Sequence, residues 1–204
     1  MSEQWEPTIR AFARQDLEAP PDPGAMLFTG SSTIVKWDTL AEDFLFAPVL
    51  NRGFGGSQVP DLLAYFERVI LPYDPRIVVV YSGDNDIAAG RTPEQVLADY
   101  AELQGLIRDG VPGAPLVIVG LKPSPNRWHL AEAMCRVNSG LERWASGTER
   151  TEVVPVWHAM LSDEGVPRGE LYSDGLHLTP AGYRVWTERL APRLRALWGD
   201  QAHR

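Results

Sequence analysis

Short apolar runs alternate along the chain with longer segments of helical period. Five of these runs are rich in β-branched or aromatic residues and have the length of β-strands: residues 25–29, 48–52, 76–82, 115–121 and 152–157. Strands that alternate with helices are typical of a parallel sheet covered by helices. The pattern therefore predicts an α/β fold in which these five runs form one parallel sheet.

Apolar residues recur three and four positions apart between and after these runs, as on one face of an α-helix. The clearest stripes are Val96, Tyr100, Leu103 and Ile107; Leu130, Met134, Val137, Leu141 and Trp144; and Tyr183, Trp186, Leu190, Leu194 and Leu197. The last of these helices is predicted to begin with Thr179 as its N-cap and Pro180 at its first position. Two more helices are predicted over residues 5–17 and 59–71.

The N-terminal helix is separated from the first strand by Pro20, Pro21 and Pro23. We interpret residues 1–24 as a covering helix with a proline-rich connection and not as a separate domain. A chain of 204 residues can bury a sizeable core and fits one domain better than two. We therefore predict a single domain over residues 1–204.

Composition and charge limit the kinds of partner that we expect this protein to bind. The formal net charge is −8 and no cluster of Lys and Arg is present, so we expect no nucleic-acid partner. The N-terminus lacks the features of a secretory signal, and the apolar runs are far shorter than the about 20 residues that span a membrane. The single cysteine, Cys135, cannot form an internal disulfide and is interpreted as a packing residue. These features predict a cytoplasmic protein without a membrane span and leave open whether it forms a homo-oligomer.

Polar, glycine-containing clusters follow the first three predicted strands, and a fourth precedes the last helix. They read "TGSST", "NRGFGGS", "YSGDND" and "YSDGLHLTP". In an open parallel sheet, ligands bind at the carboxyl ends of the strands, where loops lead into helices. We therefore expect these four clusters to converge along one edge of the sheet.

The first cluster contains two serines, Ser31 and Ser32, which would either cap a helix or attack a substrate. Serine is a poor nucleophile unless a base lies within hydrogen-bond reach and a third group orients that base. Asp174 and His177 can supply both, since their spacing in a tight turn can bring the carboxylate against one imidazole nitrogen. On this spacing alone, a turn aspartate beside an unrelated surface or core histidine explains the pattern at least as well.

Donors for an oxyanion hole are available in the second and third clusters. Gly53, Gly55 and Gly56 permit a turn that exposes backbone N–H groups, and Asn85 adds a side-chain amide. Taken one at a time, these residues are better explained as ordinary loop residues that favour turns.

The sequence lacks the motifs that other kinds of active site or cofactor site would require. The chain has no G-x-S-x-G elbow and no complete G-x-G-x-x-G, so neither an α/β-hydrolase nucleophile turn nor a dinucleotide site is supported. Asp84, Asp86, Asp174 and His177 could be imagined around a metal ion, but they do not follow a ligand spacing. We expect neither a metal nor another cofactor.

Taken together and in this order, the four clusters resemble the conserved blocks of the SGNH hydrolases, also called the GDSL esterase/lipase family. "FTGSST" is similar to the first block, "NRGFGG" to the second, "SGDND" to the third and "DGLH" to the last. The resemblance implies Ser32 as nucleophile, Asp174 and His177 as the rest of a catalytic triad, and the N–H of Ser32, Gly56 and Asn85 as the oxyanion hole.

This resemblance runs from about residue 25 to residue 198 and implies a flavodoxin-like three-layer α/β/α sandwich with five parallel strands. It is nearest to the small single-domain members, similar to platelet-activating-factor acetylhydrolase catalytic subunits and bacterial acyl or carbohydrate esterases. The first block departs from the family pattern, with Ser31 in place of Asp and Thr33 in place of Leu. By position we assign the nucleophile to Ser32 and a supporting or capping hydroxyl to Ser31.

The resemblance implies hydrolysis of a small-molecule ester through an acyl-enzyme. We expect a short acyl group, with acetyl esters as the first candidate substrates. The alternative is a non-catalytic module that binds a small ligand or an acyl group on the same flavodoxin-like scaffold. Turnover that depends on His177 would separate the two.

Several residues near the predicted cleft have no assigned role. Three tryptophans would either line a carbohydrate or aromatic ester site or pack in the core: Trp37, Trp128 and Trp157. Three polar residues lie in or near the segment after the fourth strand: Lys122, Arg127 and Asn138. We interpret Asp84 as a turn residue; the alternative is that its charge disfavours anionic substrates.

Overall fold

The structure, a computed structural model, describes residues 3–201. The five strands are Met26–Gly30 (β1), Val49–Gly53 (β2), Ile77–Tyr81 (β3), Leu116–Val119 (β4) and Thr151–Val154 (β5). Every neighbouring pair is parallel, and the order across the sheet is β2-β1-β3-β4-β5. This is the strand order of flavodoxin-like folds, so the predicted three-layer α/β/α fold is confirmed.

The predicted strands are found within a few residues of their expected ends. The largest difference is at β5, predicted over residues 152–157, which ends at Val154. The next residue is Pro155, which has no N–H to donate to a neighbouring strand.

The helices cover the sheet in the expected alternation. Their bounds are Glu6–Glu18 (α1), Ser32–Val35 (α2), Leu40–Asp43 (α3), Val59–Ala64 (α4), Phe66–Val69 (α5), Asp84–Ala88 (α6), Pro93–Gly110 (α7), Ala131–Ala145 (α8) and Pro180–Gln201 (α9). Short 3-10 segments occur at Glu3–Trp5, Leu71–Tyr73, Pro125–Leu130, His158–Met160 and Gly169–Leu171. Within residues 3–201, no helix combines the length and apolar character needed to cross a bilayer.

The continuous helix predicted over residues 59–71 is wrong. Helix α4 ends at Ala64 because Tyr65 has φ −105° and ψ 9°, outside the α-helical range, and α5 then lasts only to Val69. Pro72 follows, and a proline disfavours α-helical geometry at the preceding residue. The apolar period is kept through this segment, but the backbone is interrupted.

The predicted start of the last helix is confirmed. Pro180 is the first residue of α9, and the Thr179 hydroxyl accepts a hydrogen bond from the Gly182 N–H at 3.3 Å. Helix α7 begins in the same way, since Thr92 caps it and Pro93 is its first residue.

An aromatic cluster fills the space between the sheet and the C-terminal helix. Phe28 on β1 packs against Phe44, with ring centroids 5.2 Å apart, and against Trp37 at 5.9 Å. Trp37 in turn stacks on Tyr183 of α9 at 5.0 Å and contacts Trp186. Trp37 is only 2% exposed, so it is a core residue and does not line a binding site.

The ends of three strands place their loops together. Gly30 at the end of β1 is in register with Gly53 of β2 on one side and with Tyr81 of β3 on the other. Gly30 has φ +125°, and a Cβ at this position would lie 1.9 Å from the Tyr81 carbonyl oxygen. Only glycine permits this close approach, from which the chain turns directly into Ser31 and Ser32.

Candidate active site

Ser32 is the first residue of the short helix α2, and Ser31 is the N-cap residue before it. Ser31 is 1% exposed and acts through its backbone: its N–H donates to the Tyr81 carbonyl at 3.0 Å. Within the described residues, the Ser31 side chain makes no capping hydrogen bond, so the capping role predicted as one of two alternatives for this hydroxyl is wrong, and the supporting role stays a prediction. Ser32 is partly exposed, which leaves its hydroxyl accessible to a ligand.

Ser32, His177 and Asp174 are joined by hydrogen bonds. The Ser32 Oγ lies 3.0 Å from His177 Nε2, and His177 Nδ1 lies 2.6 Å from Asp174 Oδ2. The network assigns the proton to Nδ1, because the carboxylate can only accept there, and this leaves the Nε2 lone pair facing the serine hydroxyl. The hydrogen bond from His177 holds the pKa of Asp174 well below its usual value, so this carboxyl group is ionised at neutral pH.

The turn that carries Asp174 and His177 is also held by the aspartate. Asp174 Oδ1 accepts hydrogen bonds from the backbone N–H groups of Leu176 at 3.0 Å and His177 at 2.8 Å. Asp174 therefore stabilises the turn and contacts the imidazole at the same time. The turn and catalytic interpretations of this spacing do not exclude each other.

The glycine loop after β2 lies beside Ser32. A Cβ on Gly55 would lie 3.7 Å from the Ser32 Cβ, and Gly56 has φ +81°, a conformation that favours glycine. Within residues 3–201, the N–H groups of Ser32 and Gly56 make no hydrogen bond, so both remain available to a ligand. The Trp5 indole N–H donates to the Gly55 carbonyl at 2.8 Å, a contact between the N-terminal segment and this loop that the sequence did not predict.

Asn85 in α6 is held from two sides. Its Nδ2 donates to the Ser57 carbonyl at 3.0 Å, and its Oδ1 accepts from Arg127 Nη2 at 2.8 Å. A primary amide has two hydrogens, so one N–H of Asn85 is engaged by Ser57 and the second is left for a ligand.

Behind Asn85 lie four residues that we call the buried charged cluster: Tyr81, Asp84, Lys122 and Arg127. Asp84 Oδ2 lies 3.2 Å from Lys122 Nζ, 3.0 Å from Arg127 Nη1 and 3.0 Å from the Tyr81 hydroxyl. Asp84 is 3% exposed and Lys122 1%. Asp84 is therefore the centre of a buried ion pair and not only a turn residue. With two cations around one carboxylate, the cluster has no excess negative charge, so the expectation that Asp84 disfavours anionic substrates loses its basis.

The pKa values in this cluster are set by burial and by the neighbouring charges. Burial raises the pKa of Asp84, but Lys122 and Arg127 more than offset it and bring the pKa below its usual value. Burial lowers the pKa of Lys122, and burial together with Asp84 raises that of Tyr81. Each ionised group depends on its partners, because a charge in a protein interior is costly unless it is paired.

The segment after β4 contacts the Asp174 turn. The Asn126 side-chain amide donates to the Asp174 carbonyl at 2.8 Å, and the Asn126 N–H donates to the Gly175 carbonyl at 3.0 Å. Arg127 and Trp128 follow Asn126 directly in this segment. No sequence signal identified Asn126, since its partners are 48 and 49 residues away.

The other candidate residues have structural contacts. The Asn138 amide accepts from the Leu121 N–H at 2.7 Å and donates to the Leu121 carbonyl at 2.9 Å, so it fixes the chain just after β4. Trp128 and Trp157 stack with ring centroids 6.0 Å apart, and Trp157 is 8% exposed. Of the three tryptophans, only the partly exposed Trp128 presents appreciable surface.

The four side chains considered for a metal site belong to three separate sets of contacts. Asp86 accepts from the Val59 N–H at 3.2 Å and lies 3.5 Å from Arg91 Nε, while Asp84 belongs to the buried charged cluster and Asp174 to the histidine. Burial raises the pKa of Asp86 to about 7. Across residues 3–201, no group of three or more His, Cys, Asp or Glu side chains is arranged to hold a metal ion.

Comparison with known proteins identifies relatives over most of the chain. Residues 24–185 match the GDSL-like Lipase/Acylhydrolase family. The platelet-activating factor acetylhydrolase IB subunit alpha1 of Bos taurus is 32% identical, over 77% of this chain and 69% of that protein.

Solved structures show the same fold at lower identity. A GDSL-like lipase from Bacteroides thetaiotaomicron superposes with a TM-score of 0.79 at 18% identity, covering 94% of this chain and 98% of the other. A carbohydrate esterase family 3 protein from Talaromyces cellulolyticus gives 0.70 at 19% identity, covering 88% and 99%. At identities this low, the structural similarity shows a shared fold and nothing more.

Proposed function

Because the chain belongs to the GDSL-like lipase/acylhydrolase family, we propose that it hydrolyses short-chain acyl esters, acetyl esters first among them, through a Ser–His–Asp triad and an acyl-enzyme. Membership of this family supports ester hydrolysis as the reaction class. The observation that carries the finer proposal is the chain of hydrogen bonds from the Ser32 hydroxyl through His177 to Asp174, with distances of 3.0 and 2.6 Å.

In the first half-reaction, His177 Nε2 takes the proton of the Ser32 hydroxyl as the oxygen attacks the ester carbonyl carbon. The imidazole becomes positively charged, and the adjacent Asp174 carboxylate stabilises that charge and holds the ring in place. Since Asp174 is ionised at neutral pH, it can act in this way without first losing a proton.

The attack leaves a negative charge on the former carbonyl oxygen. The free N–H groups of Ser32 and Gly56 and the second amide hydrogen of Asn85 are the donors that we assign to it. Preorganised donors of this kind are worth about 10²- to 10³-fold in rate each. Helix α2 has only four residues, so its dipole adds little.

Collapse of the tetrahedral intermediate transfers the proton from His177 to the departing alcohol and leaves the acyl group on Ser32. Water then repeats the attack, with His177 as base, and releases the carboxylic acid. Atoms and charges balance with ester and water alone, so no step in this sequence requires a cofactor.

The acyl preference rests on two observations. The glycine loop between β2 and α4 spans only residues 54–58, with Gly55 and Gly56 exposed, so this loop is too short to cover an extended acyl chain beside Ser32. The bovine relative acts, by its name, as an acetylhydrolase. We extend the acetyl preference to this chain on that basis.

A chain-length series tests this proposal. Turnover of p-nitrophenyl acetate, butyrate and octanoate is compared among wild type, Ser32→Ala and the control Ser146→Ala, in which the exposed side-chain hydroxyl that is removed donates to the nearby Arg143 carbonyl. We expect kcat/KM to fall with chain length and Ser32→Ala to match the uncatalysed rate. Equal rates for wild type and Ser32→Ala would contradict the proposed activity, and faster turnover of octanoate would contradict the short-chain preference.

A further inference from the structure

The orientation of the Asn85 amide decides whether it can serve as an oxyanion donor. Only its nitrogen carries hydrogens, so rotation by 180° would present a carbonyl oxygen to the developing negative charge and raise its energy. A half-buried amide that can rotate would spend part of its time in this unproductive orientation. Something must therefore fix it.

Two contacts distinguish the two orientations. In the observed one, Nδ2 donates to the Ser57 carbonyl and Oδ1 accepts from Arg127 Nη2. In the rotated one, Oδ1 would face the Ser57 carbonyl oxygen, and the amide N–H groups would face the guanidinium N–H groups. Both of these new contacts would be repulsive, so Ser57 and Arg127 both favour the observed orientation of the Asn85 amide.

Of the two partners, Arg127 exerts the larger influence because it is charged. Hydrogen bonds to a charged group are roughly twice as strong as neutral ones. A cation on Oδ1 also polarises the amide and makes the Nδ2 hydrogens stronger donors. Arg127 thus sets the direction of the Asn85 amide and increases its partial positive charge.

Arg127 is in turn fixed by groups that do not reach the cleft. Its Nη1 lies 3.0 Å from Asp84 Oδ2, and the Asp84 carboxylate is also bound by Lys122 and Tyr81. The neighbouring Asn126 ties the same segment to the Asp174 turn. Because the guanidinium side chain is only 17% exposed, it has little freedom to leave Asn85.

We propose that Arg127 is a positioning residue for the oxyanion hole, which acts by holding the Asn85 side chain with its amide hydrogens toward the substrate carbonyl oxygen. The buried charged cluster is the support that keeps Arg127 in place. This inference rests on the proposed function, because it assigns a role in the same site.

The first test separates positioning from a merely structural role. In Arg127→Gln, kcat for p-nitrophenyl acetate should fall roughly 10- to 100-fold, with KM changed less than about threefold, because the donor acts on the transition state. Arg127→Lys keeps the charge and one donor and should recover part of the loss. The control is Arg76→Gln, which removes a half-buried arginine next to the opposite end of β3, where it packs on Trp198, and should keep kcat.

The second test is a double-mutant cycle with Asn85→Ala. If Arg127 acts through Asn85, Arg127→Gln should lower kcat less than about threefold once Asn85 is absent. An unchanged effect of Arg127→Gln in the Asn85→Ala background would overturn the inference, as would wild-type kcat in Arg127→Gln alone. If Arg127→Gln does not fold, the same cycle is run with Arg127→Lys, which is judged by the same criterion.

The outcomes distinguish this inference from the proposed function. If turnover is lost in Ser32→Ala but the effects of Arg127→Gln and Asn85→Ala on kcat are additive, only the positioning role of Arg127 is overturned. Turnover that does not depend on Ser32 overturns both.

Discussion

Two carboxylates in this site are paired with cationic or basic side chains in contrasting surroundings. Asp174 is half exposed, at 51% of its side chain, and its partner His177 is three residues away in the same turn. Asp84 has 5% of its side chain exposed, and its partners Lys122 and Arg127 come from another segment, 38 and 43 residues along the chain. One pair is local and hydrated, and the other is distant and buried.

The difference separates what each pair can contribute. A hydrated carboxylate is ionised at little cost, and an exposed ion pair adds little stability, so the contact between Asp174 and the His177 ring can serve chemistry while Asp174 supports only its own turn. A buried carboxylate is stable only with its partners, so loss of one partner exposes the desolvation cost of the others. We therefore expect changes in the turn to alter rate and changes in the buried charged cluster to alter stability first.

The largest expected effect is on rate, from the exposed pair. His177→Ala should lower kcat for p-nitrophenyl acetate by roughly 10⁴-fold, because it removes the proposed base, while the free energy of unfolding changes by less than about 1 kcal/mol. Steady-state kinetics and urea unfolding of the same preparation measure both. If His177→Ala instead lost much stability and little rate, the turn would support the fold and not the chemistry, contrary to our assignment.

The next effect is on stability, from the buried charged cluster. Lys122→Met should lower the free energy of unfolding by about 3–5 kcal/mol, because Asp84 then loses one of its two cations in the interior. Urea unfolding measures the loss. Lys122→Met combined with Asp84→Asn should cost less than the sum of the single changes, and a loss below about 1 kcal/mol in Lys122→Met would show that the pair is not buried as described.

A smaller, pH-dependent effect comes from Asp86, which is buried but only weakly paired. Its pKa is about 7 in the folded protein and 3.8 as a free side chain, so the folded state binds the proton more tightly. This favours folding at low pH, and the advantage is lost as the pH rises from about 4 through 7. Relative to Asp86→Asn, wild type should lose about 2–4 kcal/mol of unfolding free energy over this range. Urea titrations at pH 4, 5, 6, 7 and 8 measure the difference, and a difference that stays constant would contradict the raised pKa.

The same contrast explains what the sequence could predict. The strands and the stripe helices follow from apolar periodicity, and the start of α9 follows from Thr179 and Pro180, because these signals lie within a few residues. The D-x-x-H spacing is equally local. These features depend only on neighbours in the chain, so the sequence alone predicts them.

Contacts between distant segments could not be predicted in this way. The Lys122–Asp84 ion pair, the Arg127 contact with Asn85 and the Trp5 contact with Gly55 join residues 38 to 50 positions apart. These contacts form only because the loops after β2, β3 and β4 and the N-terminal segment come together in the folded protein. The break at Tyr65 within residues 59–71 was also missed, since the apolar period continues across it.

The most direct test of the central claim asks which serine attacks. A fluorophosphonate probe with a fluorescent reporter reacts with an activated serine and labels the protein covalently, so wild type, Ser31→Ala and Ser32→Ala are compared after equal exposure. We predict labelling of wild type and Ser31→Ala and none of Ser32→Ala, because only the Ser32 hydroxyl lies 3.0 Å from His177 Nε2. Labelling that persists in Ser32→Ala and disappears in Ser31→Ala would contradict the account.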